Sequence, residues 1–234
     1  LMNIQGYDSI DKVMERGQHA LSPEAFEVAA NETGALVLDT RDPQTFAAGF
    51  IPNSINIGID GSFAPWVGAM IPDIKQEILL VCEEGREEEV VTRLARVGYD
   101  YALGYLKGGI DAWEKDGKAV ETVQRLQPEQ LKKETTQHPE SIVLDVRKPG
   151  EFQAEHLTNV QHLALDTINE NMAELNRDQR YLIHCAGGYR SMIAASILKA
   201  RGIHNFKEID GGFKSIANAG IPKTNFICQS KLVR

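Results

Sequence analysis

Positive charge is in short supply. Across 234 residues, 25 Lys and Arg face 33 Asp and Glu, a formal net charge of -8. That deficit argues against a nucleic-acid surface or an anionic membrane as partner, since both call for clustered cations. Long apolar runs are missing as well. No stretch approaches the length of a membrane span, and the first residues lack the charged, apolar, small-residue order of a secretory signal. A cytoplasmic protein is the expectation. Cysteine is scarce and scattered: Cys82, Cys185 and Cys228 form no CxxC pair and no Cys/His cluster at metal-ligand spacing. This excludes a disulfide framework and indicates no zinc site, so free thiols and a chain without a metal or other cofactor of its own are expected. What remains, 42% hydrophobic and 25% charged residues, is ordinary for a globular protein of one or two domains.

What the chain does have is one pattern twice. Val37-Leu38-Asp39-Thr40-Arg41-Asp42-Pro43 returns as Val143-Leu144-Asp145-Val146-Arg147-Lys148-Pro149, and Phe46 then matches Phe152. Ile78-Leu79-Leu80-Val81-Cys82 returns as Tyr181-Leu182-Ile183-His184-Cys185, and Lys107-Gly108-Gly109 as Asp210-Gly211-Gly212. Even the helix starts agree, Leu21-Ser22-Pro23-Glu24 against Leu126-Gln127-Pro128-Glu129, with proline at the favoured first helical position. A unit of roughly 100 residues is too long for a solenoid repeat and fits a globular domain. The domains are read as 1–118 and 119–234, joined through the polar stretch from Lys115 to Arg125. Within each copy short apolar strands alternate with helical patterns. This predicts an α/β fold, a central and mainly parallel sheet flanked by helices. Ligands in such sheets gather at the carboxyl ends of strands. Asp145 and Arg147 end one strand, where the pair is expected to brace the loops as a structural salt bridge.

Cys185 ends another strand. The apolar run Tyr181-Leu182-Ile183-His184 leads into Cys185-Ala186-Gly187-Gly188-Tyr189-Arg190, and Ile193, Ile197 and Ala200 then mark a helix. In a loop of small residues, successive backbone N–H groups can turn toward one point, and the helix start adds its partial positive charge. Such a position favours a thiolate, the nucleophilic form of cysteine. Arg190 supplies a planar fork of donors for a small oxyanion. A tyrosine-phosphatase signature has five residues between Cys and Arg; here there are four, Ala186 to Tyr189. The tighter ring suits a persulfide sulfur better than a tetrahedral phosphoryl group. His184, on the opposite face of the strand by alternation, is expected to pack rather than act as a base.

The first copy of the loop differs in charge. Aligning Cys82 with Cys185 puts Glu87 where Arg190 stands and Glu88 where Ser191 stands, and positions 83 to 89 hold five glutamates and one arginine. Like charges at this range disfavour a thiolate and repel anions. Cys82 is therefore expected to be a poor sulfur carrier. Domain 1 is also longer between Ile57 and Ile78, where Phe63-Ala64-Pro65-Trp66 reads equally as an interface anchor or as core.

The LDxR segment, the strand-borne cysteine with its six-residue loop, and the glycine pair in DGGFKSIANAG together resemble the rhodanese family, present twice over nearly the whole chain. The resemblance implies an α/β fold and a cysteine that carries sulfane sulfur as a persulfide from a donor to a thiophilic acceptor. It gives Cys185 the nucleophile position, the loop residues Ala186, Gly187, Gly188, Tyr189 and Ser191 the substrate cradle, and Arg190 the anion-binding position. Thiosulfate, sulfite, thiols and low-molecular-weight persulfides are the partners so implied. The run from Leu21 through Tyr99, including LSPEAFEVAANETGALVLDTR, GSFAPWVGAMIP and EEGREEEVVTRLARVGYD, is similar to the tandem rhodanese part of bacterial proteins that begin with a metallo-β-lactamase-fold domain. In members resembling persulfide dioxygenases that domain carries a non-haem iron, and a zinc is the alternative. On this resemblance residues 1–20 link to such a domain, which holds the metal. Two other readings stand beside a sulfurtransferase: a non-catalytic scaffold for a larger hydrolase, and a small-anion phosphatase or arsenate reductase. The intact CAGGYR loop favours catalysis over scaffolding, and its length disfavours phosphate chemistry. Donor, acceptor and oligomeric state, a homo-oligomer included, stay open at this point.

Overall fold

A computed structural model describes residues 8–227, so Cys228 and the expectations attached to it lie outside the described residues. The described chain divides into two compact units at Thr122/Val123, a little beyond the join read from the sequence. The shift has a local cause. After the helix Gly109–Lys115, the Trp113 indole N–H donates to the Ala119 carbonyl at 2.9 Å, and Phe50 and Glu121 exchange backbone hydrogen bonds of 2.9 Å in each direction. The polar stretch thus belongs to the first unit almost to its end.

Unit 1 contains β1 (Ala20–Leu21), β2 (Leu36–Asp39), β3 (Ile55–Asn56), β4 (Ile78–Val81) and β5 (Ala102–Leu106). Unit 2 contains β6 (Arg125–Leu126), β7 (Ile142–Asp145), β8 (Val160–His162), β9 (Tyr181–His184) and β10 (Phe206–Ile209). The spatial orders are β1-β5-β4-β2-β3 and β6-β10-β9-β7-β8, with every pairing parallel. Each unit is therefore an α/β domain with a five-stranded parallel sheet flanked by helices, as the alternating pattern predicts. The two cysteine-bearing strands, β4 and β9, are buried along their whole length, which explains why they read as continuous apolar runs.

The segment before Ser22, read from the sequence as a link, carries more than a link. Ser9 caps a helix Ile10–Gly17, in which Val13 and Gly17 are buried, and β1 pairs with β5. Gly17 lies so close to Val91 that a Cβ would fall 2.6 Å from its methyl carbon. The two proline helix starts diverge as well. Ser22 accepts a hydrogen bond from the Ala25 amide at 3.2 Å and starts the α-helix Pro23–Thr33 directly. Gln127, a weaker capping residue than serine, is followed by a 3-10 turn, Pro128–Gln130, before the α-helix Leu131–Gln137. Phe63 and Trp66 lie in the helix Phe63–Met70 at 2% and 8% exposure, which resolves their two readings in favour of core.

The glycine pairs after β5 and β10 are conformationally alike but differently packed. Gly109 and Gly212 have φ of +59° and +60°. A Cβ on Gly109 would meet nothing within 4 Å, whereas on Gly212 it would fall 2.5 Å from the Cys185 carbonyl oxygen and 2.7 Å from both Ala186 C and Gly187 N. We expect Gly109→Ala to cost about 1–2 kcal/mol for its left-handed backbone alone. Gly212→Ala should lose an additional ~1–3 kcal/mol from overlap with the loop backbone. Thermal and denaturant unfolding of the two variants checks this, and equal losses would show that the contact is unimportant.

Candidate functional site

Cys185 leaves β9 at the carboxyl edge of its sheet and is 1% exposed. The loop turns back at Gly188, whose φ of +102° is open to glycine at no steric cost, and the helix Tyr189–Ala200 begins immediately after. Just before this turn, the Gly188 N–H donates to the cysteine Sγ at 3.1 Å. The Ser191 hydroxyl, in the first turn of the helix, lies 3.5 Å from the same sulfur. Ala186 and Tyr189 are half-buried and Gly187 is exposed, so the loop has an open side. Behind it, the Phe213 amide donates to the Cys185 carbonyl at 2.7 Å and the Lys214 amide to the Ala186 carbonyl at 3.5 Å.

Arg190 is engaged. Its guanidinium forms a bidentate pair with Glu151, at 2.5 and 2.8 Å, from the helix Pro149–Ala154. The fork that the sequence reading assigned to an anion thus holds a carboxylate of the same chain, and the Arg190 charge holds Glu151 below the usual carboxylate range. Asp145 and Arg147 are buried together. Arg147 Nε lies 3.0 Å from both carboxylate oxygens, Nη2 reaches Oδ2 at 2.6 Å and the Glu155 carbonyl at 2.8 Å, and the guanidinium stacks 3.9 Å from the Phe213 ring centroid. This clamps β7, the end of the helix Pro149–Ala154 and the glycine-pair helix to one another. His184 is fully buried, burial pushes its imidazole down, and Nδ1 donates to the Cys185 carbonyl at 3.2 Å. It packs behind the loop, as strand alternation implies.

The first unit keeps the turn and reverses its chemistry. Gly85 corresponds to Gly188 and also has positive φ, +84°. Its amide is taken by the Glu87 carboxylate at 3.1 Å, so the donor that meets sulfur in unit 2 meets an acid in unit 1. Arg86 does not substitute for Arg190, because it is held by Asp60 at 2.7 and 2.8 Å and by Glu89 at 3.0 Å. Cys82 is 8% exposed, and burial, reinforced by Glu87, Asp39 and Glu83, pushes its thiol up to about 12. Among the described residues no group of three or more His, Cys, Asp or Glu could hold a metal ion, and no helix is long and apolar enough to cross a membrane.

Sequence reasoning missed Glu151 and Glu208. Glu208, on β10 and fully buried, accepts from Ser191 Oγ at 2.7 Å and from Arg125 Nε at 2.9 Å. Both glutamates had a signal in the repeat. Where unit 2 has Glu151 and Arg190, unit 1 has Thr45 and Glu87; where unit 2 has Glu208, Ser191 and Arg125, unit 1 has Tyr105, Glu88 and Ala20. The partners change together.

Comparison with known proteins identifies the family. The Rhodanese-like domain family matches residues 22–116 and again 127–219. The thiosulfate sulfurtransferase GlpE of Vibrio cholerae is 32% identical over 80 residues, 34% of this chain and 76% of that protein. Its namesake from Pseudomonas putida is 31% identical over 90 residues, 38% of this chain and 81% of that protein. Among solved structures, a rhodanese-related protein from Thermoplasma volcanium is 29% identical, with 43% of this chain and 97% of that one covered and a TM-score of 0.39. With both halves matched by the same family, the chain belongs to the rhodanese-like proteins and carries two such domains in tandem.

Proposed function

We propose that unit 2 is a sulfurtransferase that carries sulfane sulfur as a persulfide on Cys185, and that unit 1 is catalytically silent. The observation that carries this reading is the position of Cys185 Sγ, 3.1 Å from the Gly188 amide at the start of a 12-residue helix. Fixed N–H dipoles and a helix N-terminus stabilise negative charge on sulfur. The names of the GlpE relatives support thiosulfate as a donor class.

In the first half-reaction the Cys185 thiolate attacks the outer sulfur of thiosulfate. A new S–S bond forms on Cys185, the S–S bond of the donor breaks, and its electron pair leaves with sulfite. In the second, a thiol, cyanide or another thiophile attacks the terminal sulfur, and Cys185 departs as thiolate. A low-molecular-weight persulfide serves as donor by the same displacement, with a thiolate leaving. Ala186, Gly187, Gly188, Tyr189 and Ser191 form the cradle. An anionic donor competes with Glu151 for the Arg190 fork, so Arg190 binds donor as that pair opens.

This chemistry calls for no resident cofactor. The likeness of residues 21–99 to metallo-β-lactamase-fold fusion proteins supports a module that works beside such a domain, to which a non-haem iron or zinc would belong. Scattered cysteines suit a reducing compartment, and we assign the module to the cytoplasm. The scaffold reading is retained for unit 1, because Glu87 occupies the amide that sulfur would need.

Incubation with thiosulfate followed by mass spectrometry tests the assignment. Wild type and Cys82→Ser should gain one sulfur on the Cys185 peptide, and Cys185→Ser should gain none; equal losses in the two variants would overturn the asymmetry. A second expectation concerns pH. With its thiol at about 12, only ~10⁻⁴ of Cys82 is thiolate at pH 8. Iodoacetamide should therefore leave the folded Cys82 peptide unlabelled at pH 8 and label it once the protein is unfolded. Rapid labelling in the folded state would contradict the electrostatics described here.

A further inference from the structure

A thiol that is 1% exposed cannot hand its proton straight to solvent, yet persulfide formation needs the thiolate. One hydrogen-bonded route leads away from the sulfur. Cys185 Sγ lies 3.5 Å from Ser191 Oγ, and Ser191 Oγ lies 2.7 Å from Glu208 Oε1. The other Glu208 oxygen accepts from Arg125 Nε at 2.9 Å, and Arg125 Nη2 reaches Asp210 at 2.5 Å. All three groups of the route are buried, with Ser191 and Glu208 at 0% exposure.

We propose that Glu208 takes the Cys185 proton through the Ser191 hydroxyl, and that Ser191 and Glu208 are therefore the proton relay for the sulfur transfer of unit 2. This rests on the sulfurtransferase reading of Cys185. The step balances within the chain. With Glu208 ionised, Ser191 O–H donates to Oε1 and its lone pair faces the thiol. The S–H proton passes to Ser191 oxygen while the Ser191 proton passes to Oε1, which gives a thiolate, a serine hydroxyl turned toward sulfur, and a neutral carboxyl. When the loaded sulfur has been delivered and a thiol is to be restored, the proton returns by the same route.

Three observations support the direction of transfer. Burial pushes the Glu208 carboxyl up, against the opposing pull of Ser191 and Arg125, so it accepts a proton more readily than a surface glutamate. Arg125 keeps Asp210 as a charged partner when Glu208 is neutralised, so the cation is not stranded. The repeat supplies an internal comparison: the register that pairs Arg125 with Glu208 across β6 and β10 pairs Ala20 with Tyr105 across β1 and β5. The unit whose loop has lost its arginine keeps the cysteine and has lost the serine and the glutamate of this route. Besides Ser191, Arg125 and Asp210 at Glu208, the charged or titratable groups around the sulfur are His184 behind it and Arg190 with its Glu151 and Asp145 neighbours. The competing acceptor for Ser191 is the Gly188 carbonyl, at 3.1 Å.

The experiment uses the full chain with Ser191→Ala, Ser191→Thr and Glu208→Gln, and reads two rates against pH from 5 to 10. One is alkylation of Cys185 by iodoacetamide, which needs no sulfur donor. The other is single-turnover release of sulfite from thiosulfate. Ser191→Ala and Glu208→Gln should each slow both rates about 100-fold near neutral pH and move the acid limb of the profile upward, while Ser191→Thr, which keeps the hydroxyl, loses less in both. A Glu208→Gln protein that unfolds leaves Ser191→Ala to decide, its fold checked by thermal unfolding. Wild-type profiles in Ser191→Ala would overturn the relay, as would an equal loss in Ser191→Thr. Failure of the wild type to release sulfite would instead overturn the sulfurtransferase reading, and alkylation would still judge the relay.

Discussion

The carbonyl oxygens of Cys185 and Ala186 cannot point into the loop, because the amides of Phe213 and Lys214 hold them from behind. In a trans peptide the C=O and the N–H of the same unit point in opposite directions. Fixing these two carbonyls therefore turns the Ala186 and Gly187 N–H groups to the other side, and the next amide, that of Gly188, donates to sulfur. Gly212 permits this close approach because it has no side chain to intervene. The anion-facing character of the loop is thus imposed by an element that follows it in sequence. The same helix presents Phe213 to Arg147, and Arg147 locks the adjacent strand end through Asp145. Loop, glycine pair and buried ion pair form one mechanical unit.

The two units show what happens when the frame is kept and the charges are changed. Asp39 and Arg41 repeat the buried pair, with Arg41 Nε at 2.9 and 3.1 Å from the two oxygens, and Gly85 repeats the turn. Glu87 then fills the amide that would have faced sulfur. An acid in the first turn of a helix is favourable in itself. The same placement that suits helix Glu87–Ala95 adds to the burial that pushes the Cys82 thiol up. The corresponding N–H donor meets a carboxylate in unit 1 and a thiol sulfur in unit 2.

Much of this was legible along the chain. Strand, cysteine, glycine loop and helix are contiguous, and each announces itself by apolar periodicity or by small residues; the LDxR pair is equally local. Residues that meet only after folding were not visible singly. Glu151 reaches Arg190 from a different helix, and Glu208 reaches Ser191 from the next strand of the sheet. Neither occupies a motif, and a buried glutamate looks in sequence like any other. The 3-10 turn at Pro128 escaped for a subtler reason: proline marks where a helix begins, but the residue before it decides how the first turn closes.

Helix Tyr189–Ala200 buries eight consecutive residues, Ser191 to Leu198, where its counterpart Glu87–Ala95 buries Val90, Val91 and Leu94. A helix enclosed on every side has no solvent face along which it can drift, so even conservative replacements must be absorbed by neighbours already at interior density. The repeat thus gives the chain two unequal substrates for mutation. One helix can exchange surface residues freely, and the other is held to small and apolar choices around its circumference. The acidic helix start of unit 1 stands on the more permissive helix, and the enclosed helix of unit 2 leaves little room for a comparable change.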